Sequence, residues 1–185
     1  VLATGQDGTG RWSIPPVFEQ LPCSRLATSA QSIDFDALQG RRVAVIGQGA
    51  SASDNAACAL EHGASEVVML VRRSTLQRIQ PFLWLTFDGF LRHMAQMPDH
   101  WRWRFMNHIL SLRESIPQPT WDRMNRHSGF RLQLDSPVEA AQMTPHGVRL
   151  STPSGDVEAD FVILGTGIEI DFSARTELAP YADRI

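Results

Sequence analysis

The stretch Arg42-Val43-Ala44-Val45-Ile46-Gly47-Gln48-Gly49-Ala50-Ser51-Ala52 decides how the rest of the chain is read. Its first half is short, apolar and rich in β-branched residues, the composition of a strand covered on both faces in a parallel sheet. A turn with the pattern G-x-G-x-x-A follows at once, at Gly47, Gly49 and Ala52. Residues 53–62 are then built largely of alanine and read as a helix, with Gly63 placed to end it in the left-handed conformation. Glu66-Val67-Val68-Met69-Leu70-Val71 is a second buried strand. Strand, helix and strand fit within about 30 residues, the length of a βαβ unit.

Each small residue of the turn answers a physical need. Gly47 permits the tight exit from the strand, Gly49 has no Cβ to hold off a pyrophosphate, and Ala52 lets the helix pack close to the strand. Free N–H groups at the helix start, joined by the Ser51 hydroxyl, face two phosphates. Gly47, Gln48, Gly49, Ala50, Ser51 and Ala52 are therefore the expected pyrophosphate site of a Rossmann-type domain. A turn required by packing alone would explain Ala52, but it would not require both glycines. Gly49-Ala50-Ser51-Ala52-Ser53 approaches the G-x-S-x-G nucleophile elbow, but the last glycine is missing. After the second strand comes Arg72-Arg73-Ser74, where an NAD site carries Asp or Glu. A guanidinium grips a phosphate in a bidentate fork, so Arg72 and Arg73 predict NADP(H) over NAD(H). For Arg73 a solvated surface position remains an equal alternative.

Outside this unit the chain changes character. Residues 1–40 are punctuated by Gly5, Gly8, Gly10, Pro15, Pro16 and Pro22 and read as a connector. Residues 81–127 hold four of the five tryptophans, with apolar residues at helical spacing in Phe87, Phe90, Leu91 and Met94 and again in Phe105, Ile109 and Leu112. They read as two or three inserted helices. From Phe130 short strands follow at 131–134, 138–143, 148–151 and 161–164, the middle ones separated by glycine turns. The expected fold class is α/β: a Rossmann-type parallel sheet with a β-meander and a helical insert.

Composition excludes several functions. The net charge of -3 gives no field that would favour nucleic acid, and Trp101-Arg102-Trp103-Arg104 sits in helical context. The six histidines lack the i, i+4 spacing of a helical metal site, so no metal is expected. Only Cys23 and Cys58 are present, which suits a reducing compartment. No apolar run reaches the roughly 20 residues of a membrane span, and no secretory leader is recognisable, so the expected location is the cytoplasm. Cys58 reads as a small core residue and Asp54 as a charge complementing the helix dipole.

These motifs resemble those of flavin-dependent, NADPH-dependent monooxygenases and related oxidoreductases with two dinucleotide-binding domains. The resemblance rests on residues 42–54 followed by Val71-Arg72-Arg73. It rests also on a pair of matching crossover segments, Val1-Leu2-Ala3-Thr4-Gly5 and Val162-Ile163-Leu164-Gly165-Thr166-Gly167. The resemblance implies an NADP-binding domain at 41–170, a connector at 1–40 from an FAD domain of the same chain, and the start of a return to that domain at 171–185. It adds Gly165, Thr166 and Gly167 to the cofactor-binding set, with NADP(H) bound here and FAD bound in the full-length parent. It implies an enzyme that oxidises a small-molecule substrate, with catalytic residues outside this chain, so that the chain alone would be inactive. A flavin reductase or disulfide-reductase relative, or a non-catalytic NADP-sensing module, are the alternatives. The segment Arg25-Leu26-Ala27-Thr28-Ser29 lacks the histidine that many such monooxygenases carry before the NADP strand.

Overall fold

The computed structural model describes residues 10–77, 80, 83, 85–112 and 115–184. The first expected crossover segment, Val1 to Gly5, and Trp84 of the insert lie outside the described residues. In chain order the strands and helices are β1 (Gly10–Trp12), β2 (Leu26–Thr28), β3 (Arg42–Ile46), α1 (Ala50–Glu61), β4 (Glu66–Leu70), α2 (Asp88–His93), α3 (Asp99–Ser111), α4 (Gln118–Asn125), β5 (Phe130–Gln133), β6 (Ala140–Thr144), β7 (Gly147–Thr152), β8 (Gly155–Ala159), β9 (Phe161–Leu164) and β10 (Ile168–Ile170).

The main sheet has the order β2-β9-β3-β4-β5 and every pairing in it is parallel. Its strands are buried on both faces, and the alternation of side chains divides them between two cores. Val43 and Val45 of β3, Val67 and Met69 of β4 and Ile163 of β9 face α1, where Ala52, Ala56 and Ala59 bring the helix close. Ala44, Val68, Leu70, Val162 and Leu164 face the other way, onto Val148 and Leu150 of the antiparallel meander β6-β7-β8. The Rossmann-type sheet, the meander and the helices of the insert are thus all present.

Several details differ from the sequence reading. Helix α1 begins at Ala50, not at 53, because Gly49 itself is the residue preceding its first turn. The connector supplies the edge strand β2, paired with β9, and β1, paired antiparallel with β10. Neither short strand has a period-2 pattern long enough to read. The meander has a third strand, β8, after the 153–155 turn, beyond the strands expected at 138–143 and 148–151. Of the helically spaced apolar residues of the insert, Ile109 is buried, whereas Phe87 and Leu91 are exposed.

Strand β3 starts on an ion pair. The Arg42 guanidinium lies 2.8 Å from Asp160, whose carboxylate also accepts the Arg42 backbone N–H at 2.9 Å. That clip joins the start of β3 to the residue entering β9. Helix α4 is tied to α1 in a similar way. Thr120 Oγ1 donates to Asp54 at 2.9 Å, and Arg123 pairs with Asp54 and Glu61. Because α1 starts at Ala50, Asp54 lies past its first turn, and instead of complementing the helix dipole it anchors the insert's last helix.

Candidate dinucleotide-binding site

The chain runs outward from β3 through β4 to β5 and then returns to place β9 on the opposite side of β3. The carboxyl ends of β3 and β9 therefore flank a topological switch point, the place where open parallel sheets bind ligands. The glycine turn leaves β3 there, and Gly165-Thr166-Gly167 leaves β9 beside it.

The two glycines of the turn have different reasons to be glycine. Gly47 has φ +125°, and a Cβ on it would overlap the Gly165 carbonyl oxygen. Gly165 in turn leaves no room for a side chain, because its Cβ would collide with Ala52 Cβ. Gly47, Ala52 and Gly165 thus form one close contact between turn, helix and β9, held by Gly165 N–H to Ile46 O at 2.8 Å. Gly49 is unlike them. It has φ -71° and ψ 172°, a backbone any residue adopts, and a Cβ there would meet nothing within 4 Å. Neither backbone conformation nor packing requires glycine at 49.

The first backbone hydrogen bond of α1 runs from Ser53 N–H to Gly49 O at 3.0 Å, so the N–H groups of Ala50, Ser51 and Ala52 have no acceptor within the helix. No side chain caps this end, because Ser53 Oγ is turned back to the Gly49 and Ala50 carbonyls. Ser51 is exposed. Gln48 Oε1 is buried without a hydrogen-bond partner among the described residues. An open cradle at Gly49, beside unpaired N–H groups at the positive end of a helix dipole, fits a pyrophosphate.

Arg72 and Arg73 follow β4 and are both exposed, and neither guanidinium is ion-paired with a described residue. The backbone of Arg73 accepts Asp135 N–H at 2.8 Å, which fixes the loop leaving β4 against the loop leaving β5. Thr166 spends its hydroxyl on the Ser13 carbonyl, and Gly167 O accepts Ser13 N–H at 2.9 Å. Gly165, Thr166 and Gly167 thus back the glycine turn and bind β10 to the chain entering the domain. Cys58 is half-buried, with Arg123 Nη2 at 3.7 Å from its sulfur. No cluster of metal-ligating residues occurs among the described residues.

Across its whole length the chain is 36% identical to the FAD-dependent urate hydroxylase of Xanthomonas campestris pv. campestris. The similarity is to one stretch of a flavin-dependent hydroxylase. The chain spans 39% of the length of that hydroxylase. No protein-family model matches it. The reduced ornithine hydroxylase of Pseudomonas aeruginosa superposes with a TM-score of 0.66 at 23% identity, over 94% of this chain and 47% of that one. A flavoprotein disulfide reductase of Escherichia coli superposes with a TM-score of 0.55 at 14% identity, over 91% of this chain and 31% of that one. At such identities the likeness is one of fold, and hydroxylase and reductase share it. Among the described residues no helix is long and apolar enough to cross a membrane.

Proposed function

We propose that this chain is the NADPH-binding domain of a cytoplasmic flavin-dependent oxidoreductase, a monooxygenase acting on a small organic substrate. The observation that carries the reading is Gly49: a glycine that the fold does not need, at a helix start whose N–H groups have no acceptor. A ligand that must come close to the backbone accounts for it. The identity with a hydroxylase along the whole chain supports the monooxygenase over the reductase, whose likeness is one of fold.

In this reading Gly49 admits the pyrophosphate, and the N–H groups of Ala50, Ser51 and Ala52, with the Ser51 hydroxyl, hold it. Arg72 binds the 2′-phosphate that distinguishes NADP(H), with Arg73 beside it. Gly165, Thr166 and Gly167 shape the wall of the crevice on the β9 side. The bound nicotinamide supplies a hydride for a flavin held by the remainder of the polypeptide, and the protein's part is to bind and orient.

Titration calorimetry with NADP⁺ and NAD⁺ tests this. Arg72→Ala removes a charge-assisted contact of about 1.5–3 kcal/mol, so NADP⁺ affinity should fall roughly 10- to 150-fold. NAD⁺ affinity should stay as it was. An equal loss for both dinucleotides would remove Arg72 from the 2′-phosphate site.

A further inference from the structure

The α2–α3 hairpin leaves large apolar side chains without cover. Phe90 and Phe105 stack at 5.2 Å and hold the two helices together, and Ile109 is buried. On other faces of the same helices, Phe87 is 68% exposed, Leu91 62%, Trp103 74% and Leu110 65%. Trp103 and Leu110 are two turns apart and form a stripe on α3, while Phe87 stands immediately before α2 and Leu91 lies within it. Side chains this large and apolar, grouped on one substructure, mark an interaction surface.

The topology indicates what stands next to it. Leu76 before the hairpin and Ile116 after it line one small cavity, so the hairpin leaves and rejoins the domain at a single place. That place is at the carboxyl end of the sheet. Leu76 follows the carboxyl end of β4, and Thr120 holds Asp54 in the N-terminal half of α1. The β1–β10 ribbon also leaves the sheet at this end, after β9. Ile170 of the ribbon is itself 71% exposed. Relatives are more than twice as long as the segment this chain matches, since the chain covers 39% of the urate hydroxylase. A body joined to the domain through the ribbon continues from the carboxyl end of the sheet, the end at which the hairpin leaves the domain.

We infer that the exposed side chains of Phe87, Leu91, Trp103 and Leu110 are the surface on which the FAD-binding part of the same polypeptide docks. The inference rests on the reading of this chain as the NADPH domain of such a flavoprotein. It adds a role for the insert: the hairpin is a second attachment beside the ribbon, covering apolar area that the domain alone leaves in water.

The test uses the full-length protein with a photo-cross-linking side chain, Asn107→p-benzoylphenylalanine, at an exposed position between Trp103 and Leu110. Irradiation should give a monomeric product whose cross-linked peptide joins residue 107 to the FAD-binding part. A cross-link to a second copy, or no cross-link in protein that carries FAD and consumes NADPH, overturns the docking surface and leaves the proposed function standing. Full-length protein that carries no flavin overturns both.

Discussion

At the scale of single residues, the glycine turn separates what the fold requires from what the proposed dinucleotide would require. Gly47 stands at φ +125° against the Gly165 carbonyl, so Gly47→Ala combines backbone strain with a steric overlap. It should lower stability by about 1–3 kcal/mol or more, read as a lower urea midpoint. Gly49→Val places its side chain in open space. Loss of a favourable residue before the helix should cost about 1 kcal/mol at most, while dinucleotide binding should disappear. Normal binding by Gly49→Val in a calorimetric titration would move the site elsewhere. The G-x-G-x-x-A pattern was legible because its spacing is local. That Ala52 is small to accommodate Gly165 was not legible, because the two are brought together only by the β3–β9 pairing.

At the scale of elements, the ends of strands and helices are held by charged clips that sequence reading did not find. The Arg42 guanidinium, by hydrogen-bonding Asp160, holds its carboxyl below the usual carboxylate range against the opposing effect of burial, and the Arg42 backbone N–H adds to this. Arg123 lowers Glu61 in the same way. A carboxyl whose folded pKa lies below its unfolded value of about 4 binds fewer protons in the native state. Its stabilisation is therefore complete above about pH 4 and is lost as pH falls through the depressed folded value. Asp160→Asn should lower stability near neutral pH by about 1 kcal/mol, the scale of a partly exposed pair. It should also make the acid slope of the urea midpoint shallower, with the likewise lowered Glu61, Asp171 and Glu177 contributing to what remains. An unchanged acid slope would show that the Arg42–Asp160 clip does not couple to folding. Arg42 and Asp160 are 118 residues apart, so no local pattern announces the pair. Strand β2 was missed for a related reason: three residues, Leu26–Thr28, carry no periodicity, and only β9 makes them a strand.

For the whole molecule, the sheet order places the glycine turn, the loop after β4 and the β1–β10 ribbon at one end, so the proposed dinucleotide binding would be coupled to the native arrangement of all three. A ligand that binds only the native state stabilises it by about 2.7 kcal/mol at 100 times its Kd. NADP⁺ should therefore raise the Tm of the full-length protein more than NAD⁺ at equal concentration, and Gly49→Val should abolish the shift. Equal shifts with both dinucleotides would argue against discrimination by Arg72 and Arg73. An NADP⁺ shift that persists in Gly49→Val would show that the stabilising site is not the glycine turn.

The βαβ unit and its turn were determined by the sequence alone. The apolar runs, the alanine-rich helix, the glycines and the following arginines are contiguous, and each acts through backbone rules that operate over a few residues. The insert's helices were legible for the same reason, since their spacing is local. Which of their faces meets the domain was not legible: amphipathic spacing says that a face is apolar, not what lies against it, and Phe87 and Trp103 are left exposed. The pairing of β2 with β9 and the ribbon of β1 with β10 were decided only by the tertiary structure. So was the bond from Thr166 to Ser13, 153 residues apart. Short strands and single polar contacts gain their partners only when distant segments have already been brought together by burying the two cores.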